Sequence, residues 1–458
     1  MRSRDRNWAP ASVLFAGYVT TLVALPSDVG IATPWAVLSA SRILLVVGIA
    51  VGLVEATRAG KRAALVPSRA LMLAWFAFLI AAGASSAFGA FGSAWARLGS
   101  LALEGAGASW LSWHVARGWP VRAQSILVSV SAVVVLVTMS LAAFGYRYGA
   151  LFGDPLTGEV RFGLLRQQAA FDAPLFFAVW LVAASVLAAG LALSTGERRR
   201  WLFVGAWICL SIGIIFTASR VGLISVPALL AILLVARGRP MPGLAAGLIA
   251  VVIAAAFLAG PGGLADTESL VPQDGSASPS VLAERQSGAP SGSAPASSGS
   301  GEGPSVTPSP GPDLDAERLR GSTNARVDAI KATVAAVSER PLLGWGLLSA
   351  KRVAEAKLGH PNFVDNTYLV LLIEQGVVGL ATFLVLVAAT VMSAWPVRSA
   401  LVASQLVAIL AILGFGMFAA TLATSQGWAL FWVVCGLAVG TAASASDPGR
   451  RLAASATE

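Results

Sequence analysis

Apolar runs long enough to cross a bilayer recur along most of this chain, and no other feature limits its fold as strongly. A membrane-spanning helix needs about 20 apolar residues. Runs of about that length lie at 8–25, 33–54, 70–90, 99–116, 123–144, 173–193, 201–218, 221–236, 243–260, 367–390, 398–420 and 427–443. The run 221–236 is short, and 99–116 is interrupted by Glu104 and His114. The predicted fold class is an all-α polytopic membrane protein. It has about 12 transmembrane helices and one long extracytoplasmic loop containing an amphipathic helix. Composition agrees: 56% of the 458 residues are hydrophobic and 12% are charged, against about 25% charged in a soluble domain. A soluble globular enzyme, a disordered chain and a fibrous one are thereby excluded.

The net charge of +9 does not indicate a nucleic-acid partner, because the basic residues form no single patch. They cluster between apolar runs: Arg2, Arg4 and Arg6; Arg58, Lys61, Arg62 and Arg69; Arg117 and Arg122; Arg198 to Arg200; Arg237 and Arg239; Arg398; Arg450 and Arg451. The intervening short segments 26–33 and 421–426 contain neither Lys nor Arg. This alternation is the positive-inside pattern of a cytoplasmic-membrane protein with both termini cytoplasmic. The basic N-terminus followed by an apolar run reads as a retained first helix rather than a cleaved signal. Cys209 and Cys435 lie in apolar runs and suggest neither a disulfide framework nor a zinc site.

The same parity places 145–172 and roughly 261–366 outside the membrane. Residues 272–312 are about two-thirds Ser, Pro and Gly, a composition that cannot bury a core. From Asp313 the composition changes. Val327, Ile330, Val334 and Val337 share one helical face, with Thr323 or Asn324 as the expected cap and Pro341 as the stop. About six N-terminal spans fill 1–200, and the C-terminal helices and tail fill 386–458.

Outward cations break the positive-inside trend and call for an anionic partner. Arg97, Arg161, Arg166 and Arg220 are such cations, as are Arg326, Lys331, Arg340, Lys351, Arg352 and Lys357 on or after the amphipathic helix. The planar guanidinium fork suits phosphate; snorkelling to headgroups or pairing with Asp and Glu is the structural alternative. His360, Asp365 and Glu374 supply candidate bases where the loop re-enters the membrane, and Asp365 also suits the N-cap of the following helix. Asp313-Leu314-Asp315 has the short acidic form found in metal-dependent sugar transferases, but it stands alone. Glu55, Glu104 and His114 are either functional or helix-packing groups.

Three segments, in order around the long loop, resemble the O-antigen ligase and O-antigen polymerase family of membrane glycosyltransferases. T-A-S-R-V-G at 217–222 is similar to the family's Ser-Arg at an outer helix end. Arg326 followed by R-P-L-L-G-W-G at 340–346 is similar to its Arg and Pro-Leu-x-Gly-x-Gly segment. D-N-T-Y-L-V-L-L-I-E-Q-G-V-V-G-L at 365–380 is similar to its His-Asn and Glu-x-Gly-x-x-Gly segment. The resemblance covers about 201–385. It departs at one position: Asp365 stands where the family usually has His, and His360 lies five residues earlier.

The resemblance implies transfer of a glycan from a polyprenyl-pyrophosphate carrier to an acceptor hydroxyl at the outer membrane face, without cofactor or metal. Arg220 and Arg326, with Arg161 or Arg166, would neutralise the pyrophosphate. Asp365, or His360 reaching the same place, would act as base, unless the base lies elsewhere. The acceptor is another glycan, a lipid or a protein, which divides polymerase from ligase, and membrane lipids are the remaining partners. A twelve-helix transporter is the alternative function. Transporters of that size usually join two six-helix halves by a cytoplasmic loop. Here the segment after the sixth span is only 194–200, and the large insertion is outside.

Overall fold

The computed structural model describes residues 9–26, 30–32, 37–58, 67–88, 94–152, 160–161, 164–165, 167–171, 173–217, 219–236, 314–358, 364, 366–417 and 420–447. The expected span 243–260 and the tract 272–312 lie outside them. The chain is an all-helical multi-pass membrane protein. Its helices are α1 (Pro10–Ala24), α2 (Ala40–Arg58), α3 (Arg69–Phe88), α4 (Ala94–Leu101), α5 (Ala108–Gly118), α6 (Pro120–Ala143), α7 (Pro174–Ser194), α8 (Glu197–Phe216), α9 (Arg220–Ala236), α10 (Leu314–Glu339), α11 (Ala350–Leu358), α12 (Thr367–Ala394), α13 (Ala400–Phe415) and α14 (Ser425–Ser446). Among the described residues seven helices are long and apolar enough to cross a membrane, namely α2, α3, α6, α7, α8, α12 and α14; α1 and α13 are shorter apolar helices.

Two tiny antiparallel pairings accompany the helices: Gly30–Ala32 with Val37–Ser39, and Val160–Arg161 with Leu164–Leu165. The first corrects the expected span 33–54. That helix begins only at Ala40, because the apolar residues before it are used in a hairpin.

Helices α7 and α14 form the centre and are buried over almost their whole length, whereas α2 and α8 bury only a minor part. The perimeter is itself apolar, with Leu73, Phe76, Ile80, Phe144, Trp201 and Leu202 all exposed. An apolar exterior wrapped around a packed apolar centre suits lipid as the solvent. Small residues bring the central helices together. Gly436 and Gly440, a Gly-x-x-x-Gly pair on α14, lie against the backbone of Ser109 and Trp113 on α5, so any side chain there would part the helices.

A chain of polar groups inside the bundle is paired. Gln405 Nε2 donates to Gln124 Oε1 at 2.8 Å and to Thr441 Oγ1 at 3.1 Å, and Gln124 Nε2 donates to the Leu187 carbonyl at 2.7 Å. These three contacts join α6, α7, α13 and α14. The span expected at 99–116 is a rod from Ala94 to Gly118 whose middle, Ala102–Gly107, is π-helical. At that wider turn the Leu101 carbonyl accepts the Trp428 indole N–H at 3.1 Å. Glu104 pairs with Arg42 at 2.7 Å, and Glu55 lies 3.5 Å from His114. Both acids therefore hold helices together.

Removing one member of the Arg42–Glu104 pair leaves a nearly buried charge without its partner. Glu104→Ala should cost about 3–5 kcal/mol, measured as a large fall in Tm of the purified protein. The double change Arg42→Met with Glu104→Leu should recover most of the loss.

Candidate functional site

Helix α12 breaks at Gly376, whose backbone adopts φ 65° and ψ −166°. An unbroken helix would bond Val377 N–H to the Ile373 carbonyl and Val378 N–H to the Glu374 carbonyl. Here the Pro341–Gly346 turn takes up all four groups. Trp345 N–H donates to Ile373 O at 2.8 Å and Gly346 N–H to Glu374 O at 2.9 Å. In return, Pro341 O accepts from Val377 at 2.9 Å and Leu342 O from Val378 at 3.2 Å. Ser85 of α3 adds a hydroxyl donor to Glu374 O at 2.5 Å. The glycines of the two motifs allow this approach. A Cβ on Gly344, at φ +66°, would lie 2.6 Å from the Ile373 carbonyl oxygen, and one on Gly376 would meet the Leu342 carbonyl.

The Glu374 side chain faces the backbone N–H groups of Leu348 and Ala350, at the start of α11, with the Arg97 guanidinium close enough to act on it. An acid at a helix N-terminus is favourably placed. Arg97 also donates to the Ala423 carbonyl at 2.6 Å and to Ser425 Oγ at 3.0 Å, fixing α4 to the start of α14. Arg97, Glu374, Gln375, Thr367 and Trp428 line a cavity of about 40 Å³. That is room for about one water and far too little for a sugar. Glu374 therefore organises the loop.

Four further outward cations, Arg340, Lys331, Lys351 and Lys357, are also engaged. The Arg340 guanidinium lies 4.4 Å from the centre of the Trp345 ring and donates to the Phe88 carbonyl at 3.2 Å. Lys331 stands 3.8 Å from Asp328 and Lys351 3.9 Å from Glu355, while Lys357 pairs with Glu339. These exposed pairs add little stability.

The structure corrects the expected cap of α10 and shows which of its faces packs inward. Val327, Ile330 and Val334 are exposed, whereas Ala329, Ala332, Thr333 and Ala336 are buried. Contact with α11 and α12 is made through the small-residue face, because alanines let backbones approach more closely than valine and isoleucine do. Thr323 and Asn324 lie inside the helix rather than capping it, while Pro341 does follow its end. The N-cap of α12 is Asn366, whose side chain accepts from the N–H groups of Tyr368 and Leu369; Asp365 is not needed for that role.

Asp365, His360 and Arg166 lie outside the described residues. Arg220 is the first residue of α9, Arg326 lies within α10 and Arg161 in the short second pairing. The backbone ties two of these regions together: Gln167 N–H donates to the Phe216 carbonyl at 2.9 Å. The segment following Arg166 in sequence is thus fastened to the turn preceding Arg220. In that turn Ser219 Oγ accepts from Gly222 N–H at 3.3 Å, and a Cβ on Gly222 would lie 2.8 Å from Ile214. The Ser-Arg-x-Gly sequence is therefore a cap, a first helical residue and a close helix contact. Among the described residues no group of three or more His, Cys, Asp or Glu could hold a metal ion.

Residues 204–384 match the O-antigen ligase family. The match spans about two-fifths of the 458-residue chain and supports assigning this segment to the O-antigen ligase family. No curated protein matches the chain. At the level of the family, this is a glycan-transferring membrane enzyme. The matched segment contains the Ser219–Arg220 turn, the 341–346 turn and the broken part of α12, so the exchange of bonds between that turn and α12 lies wholly within it.

Gly344→Ala should disrupt that pairing, at a cost of about 1–3 kcal/mol from backbone strain alone. Gly99→Ala is the control, since nothing lies within 4 Å of the added Cβ. Thermal unfolding should show a clear loss for the first change and little effect for the second.

Proposed function

We propose that this chain transfers a glycan from a polyprenyl-pyrophosphate carrier to an acceptor hydroxyl, at the outer face of the cytoplasmic membrane and with both termini cytoplasmic. The observation that carries the reading is the family match over 204–384, which contains all three motif segments. Support also comes from chemistry. The acceptor hydroxyl gives its proton to a base as its oxygen attacks the anomeric carbon. The bond from that carbon to the pyrophosphate oxygen breaks, and the configuration inverts. Negative charge grows on the leaving pyrophosphate, where Arg220 and Arg326, with Arg161 or Arg166, neutralise it through bidentate hydrogen bonds. This scheme needs no metal. Asp365 is the favoured base and His360 the alternative. Asp365 directly precedes the cap of α12, at the motif position, whereas His360 stands between Gly359 and Pro361.

In membranes supplied with lipid-linked glycan, Arg220→Lys keeps the charge but loses the fork, and should lower transfer by about tenfold or more. Asp365→Asn should abolish transfer and His360→Ala should spare it; the opposite pattern assigns the base to His360. Deletion of the gene separates the two acceptor classes: unligated long chains mark a ligase, and single repeat units a polymerase.

The orientation has its own measurement. A cysteine replacing Ser297 should react with a membrane-impermeant reagent on intact cells. Labelling only after permeabilisation reverses the orientation.

A further inference from the structure

A cavity of about 840 Å³ lies far from the O-antigen ligase motifs, between α6 and α8. Its walls are Ser125, Ser129, Ala132 and Val133 of α6 and Leu202, Phe203 and Ala206 of α8; Arg122 and Arg199 stand at one end, with Trp119 and Pro120. That volume lies within the usual range for small-molecule sites, about 300–1,000 Å³.

The shape follows from the packing. Gly213 admits Val135 so closely that a Cβ there would lie 2.7 Å from the valine, and the Cys209 thiol contacts the Ala132 carbonyl at 3.8 Å. From that tight crossing the two helices diverge toward their N-termini, and the small side chains of Ser125, Ser129 and Ala132 leave a trough between them. From Arg122 to Val133 the trough runs roughly 16 Å at 1.5 Å per residue, about half of a hydrocarbon core about 30 Å thick. Its outer lip is lipid-facing, since Leu202 and Val133 are 71% and 57% exposed.

Arg199 and Ser219 lie near opposite ends of α8. The arginine end of the trough is therefore at the opposite membrane face from the Ser219–Arg220 turn. Arg117, Arg198 and Arg200 flank it in sequence, and the N-terminal turns of α6 and α8 bring their positive dipole ends to the same mouth. An apolar trough one leaflet deep, ending in cations, complements one ligand: a chain of hydrocarbon carrying an anionic head.

We propose that the α6–α8 groove is a binding site for an anionic phospholipid of the bilayer, with its acyl chain along Ser125, Ser129, Ala132 and Ala206 and its phosphate between Arg122 and Arg199. Basic pockets between membrane helices suit such headgroups.

The full chain is purified, reconstituted into nanodiscs of phosphatidylcholine with a minor fraction of phosphatidylglycerol or cardiolipin, and the lipid retained after transfer to detergent is counted by native mass spectrometry. The anionic lipid should be enriched over phosphatidylcholine. The double change Arg122→Gln with Arg199→Gln should reduce that enrichment by about tenfold or more. Ser129→Trp, which keeps both arginines and fills the trough, should also abolish it, and it decides the matter if the double variant does not fold. Glycerol phosphate at equal concentration should not displace the lipid. Equal retention of phosphatidylcholine makes the groove ordinary boundary lipid and overturns the proposal. Unchanged enrichment in either folded variant overturns it as well, and displacement by glycerol phosphate identifies a site for a soluble anion.

Discussion

A backbone carbonyl or amide inside a membrane protein has no water to turn to, so a helix can break only where another segment supplies the missing partners. The break at Gly376 meets that requirement with a closed exchange. The two helical bonds that would join Val377 to Ile373 and Val378 to Glu374 are replaced by bonds to Trp345, Gly346, Pro341 and Leu342. The position of the 341–346 turn is fixed by this replacement, and much else hangs on the turn. Trp345 reaches back to the Ala336 carbonyl at 2.9 Å, setting α10. The start of α11 is held at Glu374. Arg340, stacked on Trp345, reaches the Phe88 carbonyl of α3.

This exchange gives physical content to two sequence patterns. Pro-Leu-x-Gly-x-Gly and Glu-x-Gly-x-x-Gly are the two halves of one contact. Gly344 and Gly376 both adopt positive φ, which L side chains resist, and both lie where a Cβ would strike backbone. The glutamate of the second motif is placed by the same break, since the residues around it leave the helical path. Its carboxylate faces the α11 N-terminus and Arg97 instead of an open pocket.

Much of the fold was legible because apolar length is a strong signal. The helices at 69–88, 120–143, 174–194 and 425–446 differ little from the runs read for them. The start of α2 was not legible, because Ile31, Val37 and Leu38 are as suited to a hairpin as to a helix. Nor was the working face of α10. The usual inference, that the larger apolar residues face inward, fails when a row of alanines gives closer packing than Val327, Ile330 and Val334. In the site, the glycine motifs were visible, but their mutual pairing requires the third dimension. Arg42 was a missed signal: a lone cation inside an apolar run demands a buried acid, and Glu104 was available. The cap of α12 was misjudged by one residue, since Asp and Asn are nearly equal N-caps and only the turn geometry chooses Asn366.

The O-antigen ligase match stops at residue 384, but its geometry does not stand on that segment alone. The broken stretch of α12 takes a donor from Ser85 in α3. The start of α12 is bonded to the end of α13, with Thr367 N–H donating to the Gly416 carbonyl at 2.8 Å and Asn366 Nδ2 to the Met417 carbonyl at 2.9 Å. Arg97, from α4, links Glu374 to Ser425 at the head of α14. Behind these contacts Phe78, Phe383, Trp428 and Phe431 form one aromatic cluster spanning α3, α12 and α14. Rigid positioning of a reacting group requires that its supports be fixed by packing. Here those supports are drawn from helices on both sides of the matched segment, so the flanking spans, whose sequences carry only a generic apolar pattern, are part of what holds the motif turns in place.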